Sequence, residues 1–172
     1  MASSRHFAVF ISSLLLLSLA FPSIASQEEN NKSEVVIEGM VYCQSCDYNG
    51  TQSLSKAVPI ASAKVNVTCK NETNQVSFNK VFETDGGGYY FAELKGFQMS
   101  HSLLDHPMQS CSVKLVSSPD ENCNIPTNVN NGIDGSPLRY EGKRLNGTGY
   151  DSVIYAAGPV AFRPAQCLAP SP

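Results

Sequence analysis

Cys43 and Cys46 stand three positions apart in IEGMVYCQSC, the spacing of zinc sites and thiol redox motifs. Structural zinc takes four ligands from paired short-spaced elements, and no second CxxC follows here. A redox CxxC opens a helix after a strand, whereas the residues after Cys46 read DYNGTQS, with no helical pattern. Neither a metal nor any other cofactor is expected. Other catalytic signals are equally thin. The chain has no GxSxG, HExxH, P-loop or GxGxxG, and Gly86 to Gly88 reads as a turn rather than a phosphate cradle. A serine triad would have to draw on His101 or His106, which share one weakly patterned segment. Asp85, Asp105, Asp120, Asp134 and Asp151 are scattered over turn signals, so an acid pair for glycoside hydrolysis is not indicated. The expectation is a protein that is not an enzyme.

Binding chemistry has better candidates. RYEGKRL concentrates Arg139, Lys143 and Arg144 beside Tyr140. Guanidinium groups suit bidentate contact with carboxylates such as those of uronates. The competing explanation is a solvated loop flanking the Asn146 sequon. In GYYFAEL, Tyr89, Tyr90 and Phe91 offer rings for sugar stacking. Strand alternation buries one parity, which makes Tyr90 the better candidate for an exposed ring, while core packing remains the default.

The N-terminus sets the compartment in which these residues would work. Arg5 and His6 precede an apolar run from Phe7 to Phe21, followed by small residues at Ser23 and Ala25. This pattern predicts a signal peptide over residues 1–25, with cleavage after Ala25. The run is shorter than the roughly 20 residues a membrane span needs, and no later apolar stretch suggests a membrane anchor. Without Arg5, 11 Lys and Arg remain against 15 Asp and Glu. That acidic balance argues against nucleic acid as a partner. Five sequons, at Asn31, Asn49, Asn66, Asn71 and Asn146, predict a glycoprotein. All six cysteines, Cys43, Cys46, Cys69, Cys111, Cys123 and Cys167, follow the apolar run, and in an oxidising compartment they read as a disulfide framework. If the strand before Cys43 continues, Cys43 and Cys46 point to opposite faces and reach different partners. Spacing alone leaves 15 pairings open.

The elements that must position these residues are strands. Val35, Ile37, Gly39, Val41 and Cys43 share one parity. In AKVNVTC, Ala63, Val65, Val67 and Cys69 face one way, which puts Asn66 on the solvent side. VSFNKVF and GYYFAEL flank the turn TDGGG. CSVKLVS places Cys111, Val113 and Leu115 inward, and VIYAAGPVAFRP is a last extended segment broken at Gly158-Pro159. One helix candidate, FQMSHSLLDH, ends at Pro107. SSPDENCNIPTNVNNGIDGSPLR predicts a long loop held by Cys123. An all-β fold, an antiparallel sandwich or small barrel, follows. The predicted organisation is a tail over 26–34, one six-cysteine domain over 35–168 and a Pro/Ser tail over 169–172.

GMVYCQSC, AKVNVTC, the turn and strand from Thr84 to Phe91, CSVKLVSSPDENCNIP and Cys167, in that order, resemble the pollen Ole e I allergen and extensin family of plant secreted proteins. The resemblance covers roughly Val35 to Leu168. It implies a compact barrel or sandwich with disulfides Cys43–Cys123, Cys46–Cys167 and Cys69–Cys111. IASAKVNVTC and TDGGGYYFAEL are also similar to transthyretin-like modules, which bind without catalysing. The family further implies a plant cell wall or apoplast location, contact with pectic or galactan polysaccharide or wall glycoprotein, and support of wall organisation during cell expansion or tip growth. This chain departs from members that carry long proline-rich tracts; Ala169 to Pro172 is a trace of one. The alternatives are an extracellular protein–protein signalling module, and a small secreted hydrolase or hydrolase inhibitor.

Overall fold

The computed structural model describes residues 33–97, 106–147 and 150–167. The expected signal peptide, the Asn31 sequon, His101, Asp105, most of the helix candidate after Phe97 and the final Pro/Ser residues lie outside them. Residues 31–172 form one compact unit. Its strands are β1 (Ser33–Cys43), β2 (Val58–Pro59), β3 (Lys64–Lys70), β4 (Val76–Glu83), β5 (Tyr89–Glu93), β6 (Cys111–Ser117), β7 (Ile125–Pro126), β8 (Ser136–Gly147), β9 (Tyr150–Ala157) and β10 (Val160–Arg163). A one-turn helix, α1 (Pro107–Ser110), has proline in its first turn, so the proline expected to end a helix begins one. Strand β1 starts inside the expected N-terminal tail.

The all-β expectation holds, in one open sheet ordered β4-β3-β6-β8-β9-β1-β10-β7, with β2 and β5 also paired to β1. The sheet is mixed rather than purely antiparallel, because β1 runs parallel to both β9 and β10. Glu38 lies opposite Ala156, and Val41 opposite Val160. The Gly158-Pro159 break therefore shifts the register by one residue. It lets a single C-terminal segment track the whole length of β1.

Alternation explains one face. Val35, Ile37, Val41, Val65, Val67, Tyr90, Leu94, Val113 and Phe162 are fully buried in a common core. Each such apolar side chain contributes about 1.5–3 kcal/mol. Around β1 the second face is covered too, since Val36, Ile154 and Ala156 are also buried. Gly39 sits directly opposite Tyr90, whose ring occupies the space a Cβ on Gly39 would fill. The aromatic ring thus covers the glycine across the strand pair.

The disulfides join Cys43 to Cys123, Cys46 to Cys167 and Cys69 to Cys111, the pairs implied by the family resemblance. Cys43 ends β1 while Cys46 opens a 3-10 turn, so the CxxC is two separate staples. Gln44, buried between them, donates from Nε2 to the carbonyls of Thr51 (3.0 Å) and Ser53 (2.9 Å) and fixes the following loop. The TDGGG turn carries the chain from β4 to β5. Asp85 Oδ1 accepts from the amides of Gly87 and Tyr89. Gly88 adopts φ +74° against Pro59 and the Val41 carbonyl, where a side chain would collide.

Candidate functional site

Register on β1, β9 and β8 sets the floor of the site, and β5 adds a further wall. Glu38 on β1 faces Ala156 on β9, and Ala156 faces Arg139 on β8. The short alanine between two long charged side chains leaves a floor with walls. On the other side of β1, Phe91 lies opposite Glu38 and Tyr89 opposite Met40. Tyr89 is thus diagonal to Glu38, within reach of an aromatic side chain. Its hydroxyl donates to Glu38 Oε2 at 2.8 Å. The result is a surface groove of about 240 Å³, lined chiefly by Glu38, Met40, Tyr89, Arg139, Glu141 and Ala156.

Its charges are paired. Arg139 Nε lies 2.7 Å from Glu141 Oε1, and Lys143 Nζ lies 3.5 Å from Glu38 Oε1. The cations are the exposed partners, at 60% each, so each pair contributes about 0–1 kcal/mol. Partial burial, the hydrogen bond to Glu38 and the charges of Glu38 and Asp85 push the Tyr89 phenol up to about 12. It therefore stays a donor at any physiological pH. Carboxylates that accept, a guanidinium and a phenol that donate, and an aromatic ring beside them form an inventory suited to hydroxyl-rich ligands.

RYEGKRL is a strand, not the solvated loop that was the competing expectation, and SPLR likewise belongs to β8 rather than to the preceding loop. Extension divides the expected basic patch. Arg139 and Lys143 face the groove, opposite Ala156 and Ile154. Tyr140 and Arg144 lie opposite Tyr155 and Val153, on the other face. Two extra residues, Glu141 and Gly142 (φ +70°), bulge between them and keep this parity. Tyr140 packs against Tyr155 with ring centroids 5.7 Å apart, and the Tyr155 hydroxyl meets His106 Nε2 at 3.2 Å. Arg144 pairs with Asp151 at 3.1 Å.

Tyr90, the candidate for an exposed ring, instead takes the default of core packing. It is 1% exposed, and the accessible ring is Phe91, at 40%. The signal was present: Ala92 and Leu94 share the parity of Tyr90, while Glu93 shares that of Tyr89 and Phe91. Glu38 and Glu141 are missing from the residues the sequence singles out for ligand contact, and Tyr89 figures there only as a stacking ring, not as a hydrogen-bond donor. The Glu38–Tyr89 contact joins positions 51 residues apart and has no local signature. Asn49, Asn71 and Asn146 are at or near the surface, and Asn66 lies half-buried on the outer face of β3 with Nδ2 donating to Thr68 Oγ1. Among the described residues, no group of three His, Cys, Asp or Glu side chains could hold a metal, and no helix is long and apolar enough to cross a membrane.

A family model described as Pollen protein Ole e 1 like matches residues 33–144. The chain belongs to that family. Over 142 residues it is 32% identical to Non-classical arabinogalactan protein 30 of Arabidopsis thaliana, covering 78% of this chain and 54% of that protein. It is 30% identical over 118 residues to Major pollen allergen Lig v 1 of Ligustrum vulgare, covering 67% and 72% respectively. This Ole e 1 like chain thus spans about half the length of the arabinogalactan protein it matches. The crystal structure of the major plantain pollen allergen Pla l 1 superposes with a TM-score of 0.57 at 22% identity, covering 81% of this chain and all of that one, and shows the fold.

Proposed function

We propose that the protein is a secreted, N-glycosylated, non-enzymatic component of the plant cell wall or apoplast that binds neutral, galactan-type polysaccharide through the groove of Glu38, Tyr89, Arg139 and Glu141. The wall setting is supported by relatives named as arabinogalactan, extensin-like and root hair proteins. Support of wall organisation in expanding or tip-growing cells is the role in keeping with pollen-named relatives.

The observation that carries the ligand class is charge pairing. Each of Arg139, Lys143 and Arg144 already has a carboxylate partner. A uronate would have to displace Glu141 or Glu38, whereas sugar hydroxyls can accept from Arg139 and donate to either acid without breaking a pair. A galactan-type ligand fits this groove better than a pectic acid.

Calorimetric titration of the glycosylated protein with β-galactan tetrasaccharide and with oligogalacturonate tests the reading. Galactan binding that changes little with salt is expected, weakened roughly tenfold by Tyr89→Ala. Salt-sensitive oligogalacturonate binding would restore the pectic reading. No binding of either would move the function to an extracellular protein partner.

A further inference from the structure

Phe91 stands at the rim of the groove rather than in its lining. It lies directly opposite Glu38 across the antiparallel β1–β5 pair, so the two side chains share one side of the sheet. Together with Ala156 and Arg139 they complete a single row across β8, β9, β1 and β5. Tyr89, two residues away and roughly 7 Å along β5, shares that side and holds the Glu38 carboxylate. Tyr90 and Ala92, the neighbours of Phe91 in the chain, are buried in the core, whereas Phe91 is 40% exposed. Among the described residues, β5 pairs only with β1, so no further strand pairs outboard of Phe91. Glu38 also keeps capacity for a ligand. An ionised carboxylate offers about four acceptor sites, and Tyr89 and Lys143 each engage one of its oxygens.

We infer that Phe91 is the stacking platform of the groove and the residue that selects galacto-configured sugars, holding the apolar face of a hexose while Glu38 accepts from its hydroxyls. This rests on the groove reading proposed above and names what discriminates among neutral sugars there. An aromatic ring carries negative charge density on its face, which attracts the polarised C–H hydrogens of a pyranose. In galactose the axial oxygen at C4 leaves the hydrogens of C3, C4 and C5 on one continuous side. In glucose the equatorial oxygen at C4 puts the C4 hydrogen on the side opposite those of C3 and C5. A flat ring therefore gains more contact with galactose than with its C4 epimer. Charge pairing makes the ligand neutral; the ring sets which neutral sugar it is.

Calorimetric titration of the wild-type, Phe91→Ala and Phe91→Trp proteins with β-galactan tetrasaccharide and with cellotetraose, a glucan of the same length, tests this. Wild type should prefer the galactan by roughly tenfold. Phe91→Ala should lower galactan affinity roughly tenfold and leave cellotetraose affinity nearly unchanged, so the preference collapses. Phe91→Trp should retain the preference. The chain contains no tryptophan, so emission from that variant reports on position 91 alone, and it should shift as galactan saturates the protein. Melting temperatures without sugar check the fold; if Phe91→Ala melts early, the Phe91→Trp emission carries the test. Equal wild-type affinity for the two sugars, a folded Phe91→Ala protein that keeps the preference, or Phe91→Trp emission that stays constant while calorimetry shows binding would overturn the role of Phe91 and leave the groove standing. A wild-type protein that binds neither sugar would overturn the groove reading itself, and the role of Phe91 with it.

Discussion

The β4-β3-β6 end of the sheet and the β8-β9-β1-β5 end solve different problems. At the first, strands alternate regularly: Val65, Val67, Cys69 and Val113 are buried, while Lys64, Asn66, Thr68 and Lys114 look outward. The outer face is a polar ladder, with Asn66 Nδ2 donating to Thr68 Oγ1 and Thr68 to Asn79 Oδ1. Cys69 and Cys111, directly opposite in register, lock β3 to β6. At the second end both faces of β1 and β9 are covered, and a two-residue bulge interrupts β8. The groove forms there because small residues lie between long charged ones. Regular pairing supplies the scaffold, and departure from regularity supplies the site.

Substitutions can break or sharpen this contrast. The largest effect is expected from Cys69→Ser, which should lower stability by about 2–4 kcal/mol and reduce secreted yield. Normal yield and an unchanged denaturant midpoint would show that the regular end holds without its staple. Gly39→Ala comes next: the added methyl meets the Tyr90 ring, and overpacking of this kind costs about 1–3 kcal/mol. Tyr90→Phe acts in the opposite sense. Its hydroxyl is buried and unpartnered, so removal should leave stability unchanged or raise it by up to about 1 kcal/mol. A clear loss on thermal denaturation would mean the hydroxyl has a partner in solution. The smallest effect concerns Tyr89. Its raised phenol keeps a proton in the folded state that the unfolded chain releases above pH 10, so its contribution is complete below pH 10 and is lost as pH rises through about 12. Tyr89→Phe should remove that part of the alkaline decline, read from melting temperatures at stepped pH.

The same contrast accounts for what the sequence made legible. Where one face meets water, as in AKVNVTC, period-two patterning identifies both strand and buried set. Where both faces are covered, Val36 and Ile37 are equally buried and alternation carries no parity. The parallel pairing of β1 with β9 joins segments more than 100 residues apart and leaves no local trace. In RYEGKRL, charge density conceals a strand, and only Gly142 at positive φ marks the bulge that sets which cations share a face. Alternation in GYYFAEL leaves open which parity is buried until Tyr90 is grouped with Ala92 and Leu94, whose side chains share its place in the core. The groove residues come from four strands that meet only after folding.

The parallel contact between the first and last long strands also fixes an order of manufacture. Residues 33–43 emerge during synthesis more than 100 residues ahead of their neighbours at 150–163. The β3–β4 hairpin and β6 can assemble while the ribosome is still working, and Cys69 can find Cys111 across 42 residues. Cys43 and Cys46 wait for partners 80 and 121 residues away. An apolar segment containing Val35, Val36 and Ile37 can pair with β5 on one edge, but its other edge stays open until residues 153–155 are made, a vulnerability typical of folds dominated by distant pairings. Chain termination before residue 150 would leave the β9 edge of that segment open for good, whatever the state of the hairpin.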